Sequence, residues 1–262
     1  MSHHKITWLN QPGFTGETLN PIRAERVEGW EHEQGLLGTH CEKCSPGCTN
    51  CYAEAMNRRC LPGGGTGLPY TPWSRNKVQI YLDEEKLNRP FRWKKARCIF
   101  WCSMTDLFGE WVPDGMIERC LEVMCNTPEH RHIILTKRPH KAHGWDCGQG
   151  WLLASASTQT EMITRSWDLL GAAAGVTGLS IEPLLTSGII PVERLTEFDW
   201  VLVGCESGPR RRPCELAWVR SLVEQCHEVG VACFVKQVSI NGRVSRDPAE
   251  WPEDIRVQEF PG

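Results

Sequence analysis

No run of about 18 apolar residues occurs in the 262-residue chain, so no segment has the length to cross a bilayer as one apolar helix. The opening residues Met1-Ser2-His3-His4-Lys5 lack the apolar stretch of a secretory leader. A large charge excess is missing as well. The 29 Lys and Arg against 32 Asp and Glu leave a formal net charge of -3, which argues against broad coating of nucleic acid but leaves room for a local basic rim. At 40% hydrophobic and 23% charged residues, the composition is not that of a disordered chain. The expected protein is soluble, cytoplasmic and without a membrane partner. Because nothing indicates export, its 14 cysteines read as thiols and metal ligands rather than a disulfide framework.

What is present is a mid-sized chain within the range of a single α/β domain. Residues 1–35 mix Trp8, Pro12, Pro21, Trp30 and many charges without a sustained period, and read as an irregular cap. Residues 36–240 form the expected core, and 241–262 a tail. Gly35-Leu36-Leu37-Gly38 is a short apolar run entering a cysteine-rich loop, and Tyr52 to Arg59 is a good helix former. Pro62 to Gly67 reads as a flexible loop. Strands are expected at Cys98–Cys102, His132–Thr136, Trp151–Ser155, Gly178–Ile181, Trp200–Val203 and Ala232–Val235. Helices are expected from Asp114 after Pro113, from a cap near Thr158, and over Ala217–His227.

Near-continuous apolar strands alternating with helices predict a parallel sheet covered by helices, as an open doubly wound sheet or a partial barrel. Chemistry then belongs at the carboxyl ends of the strands. Polar motifs fall there: Ser103 to Asp106, Lys137-Arg138, Ser155 to Ser157, Glu182, Glu206-Ser207 and Lys236-Gln237. Cys98, Cys102, Cys120, Cys125, Cys226 and Cys233 sit in apolar patterns and read as small buried hydrophobes. Most of the 12 tryptophans read as packing residues, with one or two available to stack on a base.

Cys41, Cys44, Cys48 and Cys51 place four thiols in eleven residues. A zinc site of paired Cys-x-x-Cys knuckles separates its pairs by a dozen or so residues. A fully ligated iron–sulfur cluster uses Cys-x-x-Cys-x-x-Cys with a remote fourth cysteine, a part Cys41 could take. The third reading is Cys44-x3-Cys48-x2-Cys51, with Gly47 letting the backbone wrap closely and Pro46 stiffening the turn.

That spacing resembles the signature of the radical S-adenosylmethionine superfamily. The resemblance continues through Ser45-Pro46-Gly47-Cys48, Asn50-Cys51-Tyr52-Ala53, Ser103 to Phe108, Leu135 to Pro139, Ile181 to Leu185, Glu206 to Pro209 and Lys236-Gln237. Together these look like a phage-enriched family of small radical-type proteins, over roughly Cys44 to Gln237. Two departures are Cys205, where the family often has glycine, and the additional thiol of Cys41.

The resemblance implies a partial (β/α)6-type barrel, a [4Fe–4S] cluster on Cys44, Cys48 and Cys51, and S-adenosylmethionine at the open iron. It also implies an electron donor such as flavodoxin or ferredoxin and, for a phage-encoded chain, the host cytoplasm. Ser103, Thr105 and Asp106 suit the cofactor's amino group, or a helix-entry turn. Glu182 suits a ribose hydroxyl or the substrate, or is a solvated charge. Lys137 and Arg138 suit a cofactor carboxylate or a substrate phosphate, or an exposed ion pair. Arg210 and Arg211, in the Arg210-Arg211-Arg212 run, suit DNA phosphates or solvent, and Lys236 suits an anion.

The implied activity is modification of a nucleobase in phage DNA: isomerisation of glycinyl-thymidine, moving glycine from a nitrogen to an α-carbon linkage, with DNA or a nucleotide as partner. Two other classes stay open: a photoproduct-type DNA repair lyase, and a nucleic-acid-binding module with a structural metal.

Overall fold

The computed structural model describes residues 6–28, 35–59, 64–169 and 171–262; Pro62 and Gly63 of the expected loop lie outside them. In chain order the strands and helices are β1 (Thr15–Leu19), β2 (Ile22–Arg26), β3 (Leu37–Gly38), α1 (Tyr52–Asn57), α2 (Pro72–Arg75), β4 (Val78–Leu82), α3 (Glu84–Leu87), β5 (Arg97–Trp101), α4 (Asp114–Cys125), β6 (Arg131–Thr136), β7 (Trp151–Ala156), α5 (Gln159–Asp168), β8 (Val176–Ile181), α6 (Val192–Leu195), β9 (Trp200–Gly204), α7 (Leu216–Val229), β10 (Ala232–Ile240) and β11 (Arg243–Ser245).

The main sheet runs β1-β5-β6-β7-β8-β9-β10-β11. Every pair from β1 to β10 is parallel, and β11 closes antiparallel on β10. It is an α/β fold in which a mostly parallel sheet curls into a half-barrel flanked by helices. No helix among the described residues is long and apolar enough to cross a membrane.

Period-two alternation sorts the strand residues onto two faces. Trp101, Ile134, Leu152, Ala154, Leu179, Val201, Val203 and Val235 share the large core with Ile117 and Leu121 of α4, Met162 of α5 and Leu222 and Cys226 of α7. The opposite residues Cys98, Ile133, Trp151, Leu153, Trp200, Leu202 and Phe234 pack on Trp8 and Leu9. A 3-10 turn at Thr7–Leu9 thus plugs the amino end of this second face. Its carboxyl end, reached by Ser155, Ser180 and Lys236, is left for polar side chains.

The helix starts follow local chemistry. Pro113 precedes α4, and the Thr158 hydroxyl accepts from Glu161 N at the start of α5, while the Glu161 carboxylate accepts from Ser157 N at 2.8 Å. Gly230, at φ 74°, ends α7 in the left-handed conformation.

Four expectations need correction. The described part of residues 1–35 is not irregular: β1 pairs with β5 from Thr15↔Arg97 to Leu19↔Trp101, and β2 joins β3 and β4 in a small antiparallel sheet. These five-residue strands are held by pairing rather than by an apolar period. Consequently the short strand before the cysteine loop belongs to the small sheet, not to the main one. Residues 241–262 are no loose tail, since Trp251 and Ile255 lie in the main core and Val235 N donates to Val257 O at 2.8 Å. Cys125 is exposed, because it is the last residue of α4 and faces outward.

Candidate functional site

The cysteine loop leaves β3 and crosses the carboxyl end of the half-barrel. Ser45 Oγ accepts from Gly47 N at 3.0 Å, shaping a 3-10 turn over Pro46–Cys48. Gly47 packs against the end of β7: a Cβ there would overlap Ser157 Oγ and lie 3.2 Å from Pro183 Cδ. Three further ties hold the loop. Arg212 donates to Pro46 O at 2.9 Å, Asn50 to Glu206 Oε2 at 3.1 Å, and Tyr52 to Ser103 O at 2.5 Å.

Under the loop lies a cavity of about 410 Å³. Cys44, Cys48 and Cys51 line it with Ser103, Thr105, Asp106, Lys137, Arg138, Glu182 and Lys236, so the strand-end motifs converge. Arg210 and Arg211 do not line it. The Arg210 carbonyl accepts from Asn50 at 2.8 Å, and Arg211 donates to the carbonyls of Gly208 and Gly242. Arg212, the third of the run, is turned onto Glu206, giving it Nε at 2.9 Å and Nη2 at 2.5 Å. This bidentate pair keeps the Glu206 carboxyl below its usual range despite partial burial.

All four loop cysteines are free thiols, and Cys41 lines the same cavity. A hydrogen bond from Cys44 holds Cys48 down at about 5 and the same contact pushes Cys44 up. Burial pushes Cys41 up. Among the described residues, no three His, Cys, Asp or Glu side chains converge into a single-ion site.

Asp106 departs from its expected part. Its Oδ1 accepts from Thr136 Oγ1 at 2.7 Å and Phe108 N at 3.2 Å, and its Oδ2 from Lys137 N at 3.0 Å and Arg138 Nη1 at 3.3 Å. Four donors saturate a carboxylate, so Asp106 organises the strand ends and has no acceptor left for an ammonium. Ser103 Oγ is engaged with the Asn20 side chain. Thr105 Oγ1 donates to His40 O at 2.5 Å and accepts from Trp111 Nε1 at 3.1 Å. Arg138 is buried, not exposed: besides Asp106 it donates to Glu42 O at 3.0 Å and lies over the Trp111 ring at 4.7 Å. Lys137 has no side-chain partner among the described residues.

Glu182 turns into the cavity, with Oε2 on Lys236 Nζ at 3.0 Å and Oε1 without a partner. Its peptide to Pro183 is cis. Sequence reasoning missed Ser180 and Arg246, both in the lining. Ser180 shares the parity of Glu182 along β8. Arg246 follows a hairpin whose signal was readable: Asn241-Gly242, at φ 49° and 72°, is the turn dipeptide that joins two antiparallel strands.

No curated protein and no solved structure matches the chain. A family model described as "Protein of unknown function (DUF5131)" matches residues 30–250. That match runs from ahead of the cysteine loop to beyond β11, and the chain belongs to the DUF5131 family.

Proposed function

We propose that the chain is a radical S-adenosylmethionine enzyme whose Cys44, Cys48 and Cys51 hold a [4Fe–4S] cluster. The observation that carries this reading is that all three thiols, free and in one loop, line a single cavity at the carboxyl ends of parallel strands. The half-barrel suits the partial (β/α)6-type barrel of that superfamily.

The residues fit the group. Three thiols around one cavity wall suit a cube of irons, which spreads its ligands more widely than one ion does. Gly47 gives the backbone the close approach that such a cube requires, and Arg212 and Asn50 fix the loop from outside. When bound, the cluster and S-adenosylmethionine supply a 5′-deoxyadenosyl radical that removes hydrogen from an unactivated carbon.

The chain's own side chains then bind and orient. Lys137, free of side-chain partners beside Cys48, takes a carboxylate of cofactor or substrate. Glu182 Oε1 accepts from a hydroxyl or amine. Ser103 and Thr105 hold the strand-end turn that faces the cofactor. The substrate we propose is glycinyl-thymidine in DNA, isomerised from nitrogen-linked to carbon-linked glycine, with flavodoxin or ferredoxin as electron donor. The α-hydrogen of an amino acid gives a stabilised radical, whereas moving a carbon–nitrogen bond lies outside simple acid–base chemistry. Lys137, Arg138, Lys236 and Arg246 give the cavity its cations.

Anaerobic reconstitution should give a brown protein that forms 5′-deoxyadenosine with dithionite. With DNA carrying glycinyl-thymidine, nucleoside digestion should reveal an isobaric product of shifted retention. A colourless protein with stoichiometric zinc overturns the radical reading. Turnover of irradiated DNA alone replaces the substrate with a photoproduct.

A further inference from the structure

Cys41 is the cysteine of the loop that the proposed cluster does not use. Two residues separate it from Cys44, the Cys-x-x-Cys spacing that lets two thiolates reach one metal centre. The backbone on either side of it is pinned. Thr105 Oγ1 donates to His40 O at 2.5 Å and Arg138 Nη2 to Glu42 O at 3.0 Å, and both donors line the cavity. The residue after Cys51 is tied to the same turn, since Tyr52 donates to Ser103 O at 2.5 Å. Cys41 and Cys51 are therefore both held against the turn after β5.

The Cys41 thiol is left nearly uncommitted. Its hydrogen bond to Glu42 O is 3.9 Å long, and a thiol is a weak donor. Burial first, and then the charges of Asp106, Cys51 and Cys48, push the thiol up, so the sulfur lies within electrostatic reach of two of the three proposed ligands. Cys102 and Cys205 line the cavity as well, but both are buried at strand ends outside the loop. Cys41 is half-buried and shares the cavity with all three proposed ligands.

A [4Fe–4S] cube on three thiolates leaves one iron without a protein ligand, and a fourth thiolate completes the set. We infer that Cys41 is a reversible fourth ligand, capping that iron until S-adenosylmethionine displaces it. The inference rests on the radical reading of the loop and adds to it a resting state in which the iron is closed to water and small oxidants. The exchange involves no oxidation or reduction. The bond between iron and Cys41 Sγ breaks, and the amino nitrogen and a carboxylate oxygen of S-adenosylmethionine take its place. The proton that the ammonium gives up on binding passes to the departing thiolate. Cys41 does not stand in for the other three, because its backbone is tied to the ends of β5 and β6, whereas Gly47, between Cys44 and Cys48, packs on the end of β7.

Two measurements on the reconstituted full chain test this. Electron paramagnetic resonance of the dithionite-reduced cluster should give different spectra for the unsubstituted chain and Cys41→Ala, and saturating S-adenosylmethionine should make them converge. S-adenosylmethionine should also bind Cys41→Ala severalfold more tightly, because a competing ligand lowers apparent affinity by the fraction of iron left open. Cys205→Ala, which removes a cavity thiol outside the loop, should match the unsubstituted chain in both, with circular dichroism confirming the fold of each variant. Identical spectra or equal affinities in the unsubstituted chain and Cys41→Ala overturn the inference. So does loss of iron in Cys41→Ala, or a cluster in the unsubstituted chain that S-adenosylmethionine never alters, since either makes the fourth ligand permanent. A colourless unsubstituted protein defeats the radical reading and this inference together, whereas a brown one that forms 5′-deoxyadenosine and is indifferent to Cys41→Ala defeats the inference alone.

Discussion

Asp106 and Arg138 face each other at 3.3 Å as an ion pair whose side chains are 8% and 7% exposed. The pair binds the turn after β5 to the end of β6, and through the Glu42 carbonyl to the cysteine loop. Removing one partner of a buried pair strands the other charge, at a cost of about 3–5 kcal/mol. Asp106→Ala should therefore lower unfolding stability by about that much in urea titrations, with Asp106→Asn losing less because its amide oxygen still accepts. Lys137→Ala, with no side-chain partner to strand, should stay within about 0.5 kcal/mol of the unsubstituted chain. Equal stability of Asp106→Ala and Lys137→Ala would remove Asp106 from this structural part.

The contact between Gly47 and Ser157 sets a second test. Gly47→Ala drives a methyl group into Ser157 Oγ, so the loop must move, and iron retained after reconstitution should fall severalfold. Ser157 is fully buried and its hydroxyl has no partner, which makes it dispensable to the fold. Adding Ser157→Gly to Gly47→Ala removes the two Ser157 atoms that crowd the methyl group, leaving only Pro183 Cδ at 3.2 Å, and should restore part of the iron. Equal iron in the single and double variants would show that the close approach does not matter.

His132 provides a pH test away from the cavity. Buried on β6 beside the end of β5, it accepts from Trp101 Nε1 at 3.0 Å through Nδ1 and donates from Nε2 to Thr127 O at 3.0 Å. Burial holds it neutral, taking it from the ordinary 6.5 down to about 4. The unfolded chain therefore takes up a proton, below its own ordinary value, that the native state refuses. Native stability should fall as pH drops through this window, by on the order of 3 kcal/mol in total from this residue. His132→Gln, compared with the unsubstituted chain in urea titrations from pH 7 to 4, should flatten the dependence. Parallel curves would assign the acid sensitivity elsewhere.

The parts of the molecule that were legible are those where one residue's chemistry acts locally. Pro113 opens α4, Thr158 caps α5, and the apolar runs ending at Trp101, Thr136, Ala156 and Ile181 bury both faces and so read as parallel strands. What stayed hidden depends on partners distant in the chain. β1 is a strand because Arg97 to Trp101 pairs with it, and nothing in Thr-Gly-Glu-Thr-Leu alone requires that. Asp106 reads as a ligand until its four donors, spread over Phe108 to Arg138, are counted. Arg210 and Arg211 were indistinguishable from Arg212 by composition. Only the fold shows that Glu206 selects the third guanidinium and turns it onto the cysteine loop.

The last prediction concerns the cluster ligands themselves. Each of Cys44, Cys48 and Cys51 would contribute one iron ligand, so alanine at any one of them should abolish iron loading and with it the brown colour. Cys41 lines the same cavity, yet it is raised by burial and stands outside the Cys44-x3-Cys48-x2-Cys51 spacing. Cys41→Ala should therefore keep the iron and the cleavage of S-adenosylmethionine. Arg212 acts from outside: it is the tie between Glu206 and the Pro46 carbonyl, and Arg212→Lys cannot hold both at once because an ammonium lacks the planar fork. That variant should load iron but lose it severalfold faster to a chelator, an effect of the size expected when a supporting contact around a metal site is removed. Iron and sulfide assays, with absorbance followed during chelation, separate the cases. Loss of the cluster in Cys41→Ala would mean four protein ligands and no open iron, which turns the site from catalysis to electron storage or structure. Retention in all four cysteine variants would mean that the loop holds no cluster.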